Sequence, residues 1–310
     1  VSPIRIAIAG VGKIARDQHL PSIARNRDFV LAAAVSRNAE VAGVTNFRDI
    51  DALLADMPDV EAVALCMPPG ARHDAALKAL SNGKHVLLEK PPGATLSELD
   101  DLVDMAAREG VSLFATWHSR FASGVRPARD WLASRTVRKV VVTWKEDVRK
   151  WHPGQAWIWE PGGFGVFDPG INALSIVTEI LPQPIFLTSA RLVFPENRAQ
   201  PIAADLVFAD SSGGERVEAV FDWRQTGPQT WNIEVTTNDG SLLLEQGGAR
   251  LTIGDERVVD GSDEEYAGIY RRFAELIGSG GSDVDTRPLR HVADAFMVGL
   301  HERTEAFHDA

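Results

Sequence analysis

A few short stretches of this chain carry residue types that can do chemistry at the spacing chemistry needs. The first is Gly10-Val11-Gly12-Lys13-Ile14-Ala15, a G-x-G-x-x-A pattern between an apolar run and a helical one. In that context Gly10 permits a tight turn, Gly12 lets the backbone approach a pyrophosphate, and small Ala15 lets helix and strand pack closely. The helix start at Lys13 and Ile14 then offers free N–H groups and positive potential to phosphates. A glycine-rich turn alone has the same letters; the position after a strand and at the head of a repeated β/α unit favours a dinucleotide. The second stretch is Ser36-Arg37, at the end of the next apolar run. NAD-specific enzymes usually place Asp or Glu there for the ribose 2′-hydroxyl. A hydroxyl and a guanidinium suit a 2′-phosphate instead, which favours NADP, or use of both NADP and NAD. A solvated arginine opening a helix is the plain alternative.

Glu89-Lys90-Pro91-Pro92 follows the apolar run 85–88. Ligands of an open parallel sheet lie at the carboxyl ends of its strands, so Lys90 is expected in the crevice. Beside a cationic nicotinamide and partly desolvated, its ammonium loses a proton more readily. It then serves as the base that takes a hydroxyl proton while hydride leaves the same carbon, with Glu89 orienting it. Trp117-His118 ends the next strand and puts His118 on the same edge. Asp168 and Asn172 lie four apart, on one face of a later helix. Asp before Pro169 also reads as an ordinary helix cap. Glu146 at a strand end, with Trp151, Trp157 and Trp159 nearby, adds carboxylate and flat aromatic surface suited to a neutral, hydroxyl-rich ligand. No H-x₃-H or C-x₂-C spacing is present, so no metal site is expected.

The elements that must hold these residues follow from periodicity. Residues 4–9, 30–35, 61–67, 85–88 and 112–117 read as strands, alternating with helices at 13–25, 50–55, 70–81 and 96–108. That alternation signals a doubly wound parallel sheet, a Rossmann domain over 1–120. From 121 to 287 the texture changes to an α+β substrate-binding domain with a large open antiparallel sheet: a helix at 169–181 and strands at 139–145, 186–194, 203–208, 218–223, 231–237 and 241–245. The Asn238-Asp239-Gly240 turn makes the last two a hairpin. Helices at 264–279 and 288–307 close the chain, and the last of them is expected to pack back on the first domain.

Composition narrows the class. The chain has 310 residues, 45% hydrophobic and 24% charged, which fits about two globular domains. Forty-three acidic against 32 basic residues give a net charge of −11, against nucleic acid or an anionic membrane as main partner. The run from Val1 to Ile6 shows no charged lead and apolar stretch, so no secretory signal is expected. With a single cysteine, Cys66, a reducing cytoplasm fits best. An exposed face of the antiparallel sheet is the candidate surface for a homo-oligomer.

Together Gly10–Ala15, Glu89-Lys90-Pro91 and Gly162-Gly163 leading to Asp168 resemble the glucose-fructose oxidoreductase / inositol dehydrogenase family over nearly the whole length. The longer strings Gly12–His19, Ala115–Arg120 and Trp144–Pro169 with Asn172 are similar to its bacterial D-galactose and L-arabinose 1-dehydrogenases. The resemblance implies oxidation of an aldopyranose at C1 to an aldonolactone, with Lys90, His118, Glu146, Trp151, Asp168, Asn172 and Trp231 lining the sugar site. Most of the wider family has Asp-x-x-x-His where this chain has Asp168 and Asn172. An asparagine exchanges no protons at neutral pH, so the base is Lys90, Asp168 or both. Dehydrogenation of an inositol or sugar nucleotide at another carbon, and a non-catalytic dinucleotide-bound sensor, stay open as alternatives.

Overall fold

The computed structural model describes residues 2–210, 216–262 and 264–308. Strands β1 (Ile4–Ala9), β2 (Phe29–Val35), β3 (Thr45–Phe47), β4 (Ala62–Leu65), β5 (His85–Leu88) and β6 (Leu113–Ala115) form one sheet in the order β3-β2-β1-β4-β5-β6. Every pairing in it is parallel. Helices α1 (Leu20–Arg25), α2 (Ile50–Asp56), α3 (His73–Ser81) and α4 (Leu96–Glu109) connect these strands. A sheet covered on both faces needs uniformly apolar strands, and β4 is buried along its whole length. Strand order reverses between β1 and β4, which is where such sheets open a crevice at their carboxyl ends. The helix expected over 13–25 is wound in two ways: Ala15–His19 is π-helical and runs into α1. Pro21 has no N–H to give to a carbonyl four residues back, so regular α winding cannot pass through it.

The second unit is built on nine strands. They are β7 (Val137–Lys145), β8 (Ile185–Pro195), β9 (Ala203–Asp210), β10 (Arg216–Asp222), β11 (Thr230–Thr237), β12 (Ser241–Glu245), β13 (Arg250–Ile253), β14 (Glu256–Asp260) and β15 (Leu300–Thr304). Their order is β14-β13-β12-β11-β7-β10-β9-β8-β15. Most pairs are antiparallel, as expected, and β11 and β12 form the hairpin. Two pairs are parallel, β10 with β7 and β15 with β8, because the chain crosses over before each of these strands joins. Helices α5 (Val125–Leu132), α6 (Val148–Trp151) and α7 (Phe167–Ile180) belong to the same unit. Helix α7 is buried nearly throughout, including its polar Asp168, Ser175 and Thr178. A Cβ at its Gly170 would sit 2.6 Å from the Phe221 ring, so only glycine allows this close approach of helix to sheet.

The closing segment corrects the sequence expectation. Helix α8 (Glu265–Ser279) presents Tyr266, Ile269, Tyr270, Phe273 and Leu276 on one face, and residues Tyr266–Thr286 join Val1–His118 in one compact unit. Phe273 stacks on Phe29 at 5.7 Å and lies 6.2 Å from Phe114, centroid to centroid. Helix α9 (Arg287–Val298) belongs to the second unit with Ser119–Glu265, packing on α7 and β8 rather than on the first domain. Its Phe296 meets Phe167 at 5.5 Å. The helix ends before Gly299, and the stretch beyond, expected to be helical to 307, pairs as β15. Replacing Phe273 by Ala is expected to lower the stability of the first unit by about 3–5 kcal/mol in urea unfolding. A loss below about 1 kcal/mol would contradict the anchoring of α8 through this ring.

Candidate active site

At the carboxyl end of β1 the chain turns through Gly10 at φ +89°, and a Cβ there would lie 2.5 Å from the Met67 backbone nitrogen. No L side chain fits that position. Gly12 is exposed and faces open space where a Cβ would project. The helix opens immediately after it, with the Arg16 N–H donating to the Gly12 carbonyl at 3.2 Å. A bare backbone beside the first N–H groups of a helix is a cradle that fits a dinucleotide pyrophosphate. Lys13 is exposed and paired with Asp17, and Ile14 is half-buried. Ser36 and exposed Arg37 follow the carboxyl end of β2, on the same edge of the sheet.

Glu89 and Lys90 follow β5 on that edge. Glu89 is 3% exposed, yet every direction around its carboxylate is occupied. Oε2 accepts the Lys90 N–H at 2.6 Å, and Oε1 accepts the Tyr266 hydroxyl at 2.5 Å. Oε1 also lies 3.2 Å from His19 Nε2, and His19 Nδ1 is 2.7 Å from the Tyr270 hydroxyl. Burial alone would raise the Glu89 carboxyl; the hydrogen bond and charge of His19, with smaller contributions from His118 and Tyr266, hold it down at about 2. Burial likewise opposes a charge on His19, but Cys66, Tyr270 and Glu89 outweigh it and raise the imidazole well above its usual value. A buried carboxylate and an imidazole pushed toward its charged form therefore face each other inside the first unit. Buried Arg72 donates to the carbonyls of Met67, Glu89 and Pro91, clamping the same turn through its main chain. Lys90 itself is half-buried, as is His118, whose ring stacks on Tyr266 at 5.6 Å.

In the second unit, Glu146 follows β7 and is 3% exposed. Its Oε1 accepts the Trp223 indole N–H at 3.2 Å and its Oε2 accepts that of Trp231 at 2.9 Å. The Trp231 ring stacks on Trp144 at 5.7 Å and meets Trp151 at 5.1 Å. His152 joins the two acids of this unit: Nε2 lies 3.5 Å from Glu146 Oε1, and Nδ1 lies 3.5 Å from Asp168 Oδ2. Asp168 is buried inside the first turn of α7, which begins at Phe167, so it is not the cap that Asp-Pro suggests; the cap position is Val166. Asn172, half-buried, stands one turn further along the same helix.

Thus Gly10, Gly12, Ser36, Arg37, Glu89, Lys90 and His118 are gathered at the carboxyl edge of one sheet. Glu146, Trp151, Asp168 and Trp231 are gathered around His152 in the other unit, with Asn172 on α7. Sequence reasoning missed His19, Arg72, Tyr266 and Tyr270 in the first unit and His152 and Trp223 in the second. His19 lay inside one of the strings that carried the family resemblance, and His152 is adjacent to Trp151. Tyr266 is 177 residues from its partner Glu89, and no local pattern marks it. Among the described residues no group of three or more His, Cys, Asp or Glu could hold a metal ion, and no helix is long and apolar enough to cross a membrane.

Comparison with known proteins identifies the family. Residues 4–116 match the model of an oxidoreductase family with an NAD-binding Rossmann fold. Galactose 1-dehydrogenase of Pseudomonas fluorescens is 47% identical over 309 residues, covering 100% of both chains. NADP-dependent D-xylose 1-dehydrogenase 2 of Haloferax volcanii is 28% identical, over 76% of this chain and 73% of its own. The crystal structure of D-galactose-1-dehydrogenase from Rhizobium etli superposes with a TM-score of 0.95 at 58% identity, covering 99% of each chain. With its six-stranded parallel sheet, its glycine cradle and this full-length likeness, the chain belongs to the glucose-fructose oxidoreductase / inositol dehydrogenase family of NAD-binding oxidoreductases.

Proposed function

We propose that this enzyme oxidises D-galactose at C1 to the aldonolactone, and accepts L-arabinose and D-fucose, with NADP favoured or both coenzymes used. The observation that carries this reading is the 47% identity to a galactose 1-dehydrogenase along the entire chain. The site chemistry supports it. Half-buried Lys90, at the carboxyl end of β5, is the acceptor of the C1 hydroxyl proton, assisted by Asp168. C1 loses a hydride and its hydroxyl loses a proton, and the carbonyl of the lactone forms between them. The nicotinamide, when bound, supplies the hydride acceptor. Asn172 replaces the family histidine and contributes amide hydrogen bonds only, since it carries no titratable proton. Glu146 and the Trp151 and Trp231 faces hold hydroxyls and C–H surface of the ring, with His118 as a further ligand. His152 sets the orientation of both acids of the second unit.

The three sugars share ring stereochemistry at the recognised hydroxyls and differ at C5. Extra apolar bulk there changes binding by about 1–3 kcal/mol, so discrimination among them is weak. Arg37 and Ser36 face the 2′-phosphate of NADP in this scheme, with no carboxylate to repel it.

Galactose carrying ¹³C at C1 is expected to give a lactone carbonyl signal with concurrent coenzyme reduction; a ketose product would place the chemistry at another carbon. Lys90→Met is expected to lower turnover by about 10²–10⁴-fold with coenzyme affinity unchanged. Turnover within about twofold of wild type would remove Lys90 from the reaction. Arg37→Ala is expected to raise the KM for NADP about tenfold and leave that for NAD unaltered, and equal effects on both would remove the 2′-phosphate contact.

A further inference from the structure

The mechanism uses Lys90 but gives no task to the buried groups beneath it. Glu89, His19, Tyr266 and Tyr270 are all nearly inaccessible to solvent and lie in the first unit. They form one chain of contacts that ends on the Lys90 backbone N–H. Glu89 Oε2 receives the Lys90 N–H, and the opposite oxygen is held by the Tyr266 hydroxyl and by His19 Nε2. Tyr266 does a second thing at the same time: its ring stacks on His118, the other residue of this edge assigned to the sugar. It also meets the His19 ring edge-on at 4.9 Å.

We propose that Tyr266, seconded by His19, is a positioning residue for the dehydrogenation: through Glu89 it fixes the backbone of Lys90, and through ring stacking it fixes His118. The inference rests on the reading of Lys90 as proton acceptor. A carboxylate with two anchored oxygens cannot rotate, so the N–H it accepts is held in one place. Arg72 closes the remaining freedom of that turn by taking the carbonyls of Glu89 and Pro91. The turn that presents Lys90 is thus clamped by side chains from the first helix, from the segment before α3 and from α8. Reacting groups displaced by a fraction of an ångström lose rate, and a buried brace of this kind prevents the displacement. The placement of α8 brings the chain back to the first unit before α9 and β15 return it to the second.

Tyr266→Phe deletes only the hydroxyl, His19→Leu removes the ring donors, and His19→Gln retains an N–H donor. Tyr266→Phe and His19→Leu are expected to lower kcat for galactose about tenfold, the scale of one lost charge-assisted hydrogen bond, with the KM for coenzyme within about twofold. Amide hydrogen exchange at Lys90, followed by NMR, is expected to quicken about tenfold in both, and His19→Gln to restore most of kcat and of the protection. The proposal is overturned if kcat and Lys90 exchange stay within about twofold of wild type. It is equally overturned if kcat and coenzyme KM worsen together in step with Tm while the Lys90 amide is unaffected. A wild-type protein inert toward galactose would fell the sugar assignment instead, and the exchange rates would still decide the brace.

Discussion

An ionised carboxylate inside a protein must find its solvation in fixed groups, and Glu89 imposes that requirement on the first unit. Left alone, a buried charge of this kind costs several kcal/mol, and removing one partner from a buried pair typically costs about 3–5 kcal/mol. Three groups answer it: an imidazole pushed toward its charged form, a tyrosine hydroxyl and a main-chain N–H meet the two oxygens. Because that N–H belongs to Lys90, satisfying the charge also holds the main chain of that residue. His19 closes the π-helical segment and Tyr266 and Tyr270 lie on the buried face of α8, so both elements contribute to this cluster.

The second unit solves a similar problem with neutral donors. Glu146 is as buried as Glu89, but two indole N–H groups answer it, one to each oxygen. Indole donates and cannot accept, so the arrangement selects a carboxylate over an amide at this position. Trp231 also stacks on Trp144 and meets Trp151, and Trp223 meets Trp159 edge-on, which ties the acid to a rigid aromatic wall. Asp168 gains its rigidity differently, from the first turn of a helix buried along nearly its whole length. Rigid supports of this type keep polar groups at fixed directions for a hydroxyl-rich ligand.

Local patterns made much of this legible in advance. The parallel sheet followed from uniformly apolar runs separated by helical periods, and the Asn238-Asp239-Gly240 turn placed the β11–β12 hairpin. Gly10 was recognisable from its spacing, and its positive φ and proximity to Met67 give the reason. Illegible features depend on partners distant in sequence. Tyr266 looks like any apolar-face residue of an amphipathic helix until it meets Glu89. Residues 300–304 alternate weakly and carry charge, so nothing but the edge of β8 makes them a strand. The Asp168-Pro169 pair suggested a cap because capping is the commoner use of that dipeptide, whereas α7 begins two residues before Pro169 and the acid lies inside its first turn, beside His152. The parallel pairings of β10 and β15 reflect crossovers that periodicity does not encode.

The charge on His19 decides how the buried Glu89 carboxylate is kept ionised, whereas holding the Lys90 backbone requires only an N–H donor at that position. Nitrogen NMR of the protein labelled with ¹⁵N-histidine, with His19 assigned through the His19→Gln variant, measures it directly. At about pH 8, well above the ordinary histidine range, both His19 ring nitrogens should carry protons. A His19 that has already become a neutral imidazole at that pH, titrating near the value of a solvated histidine, would contradict the ionised pair.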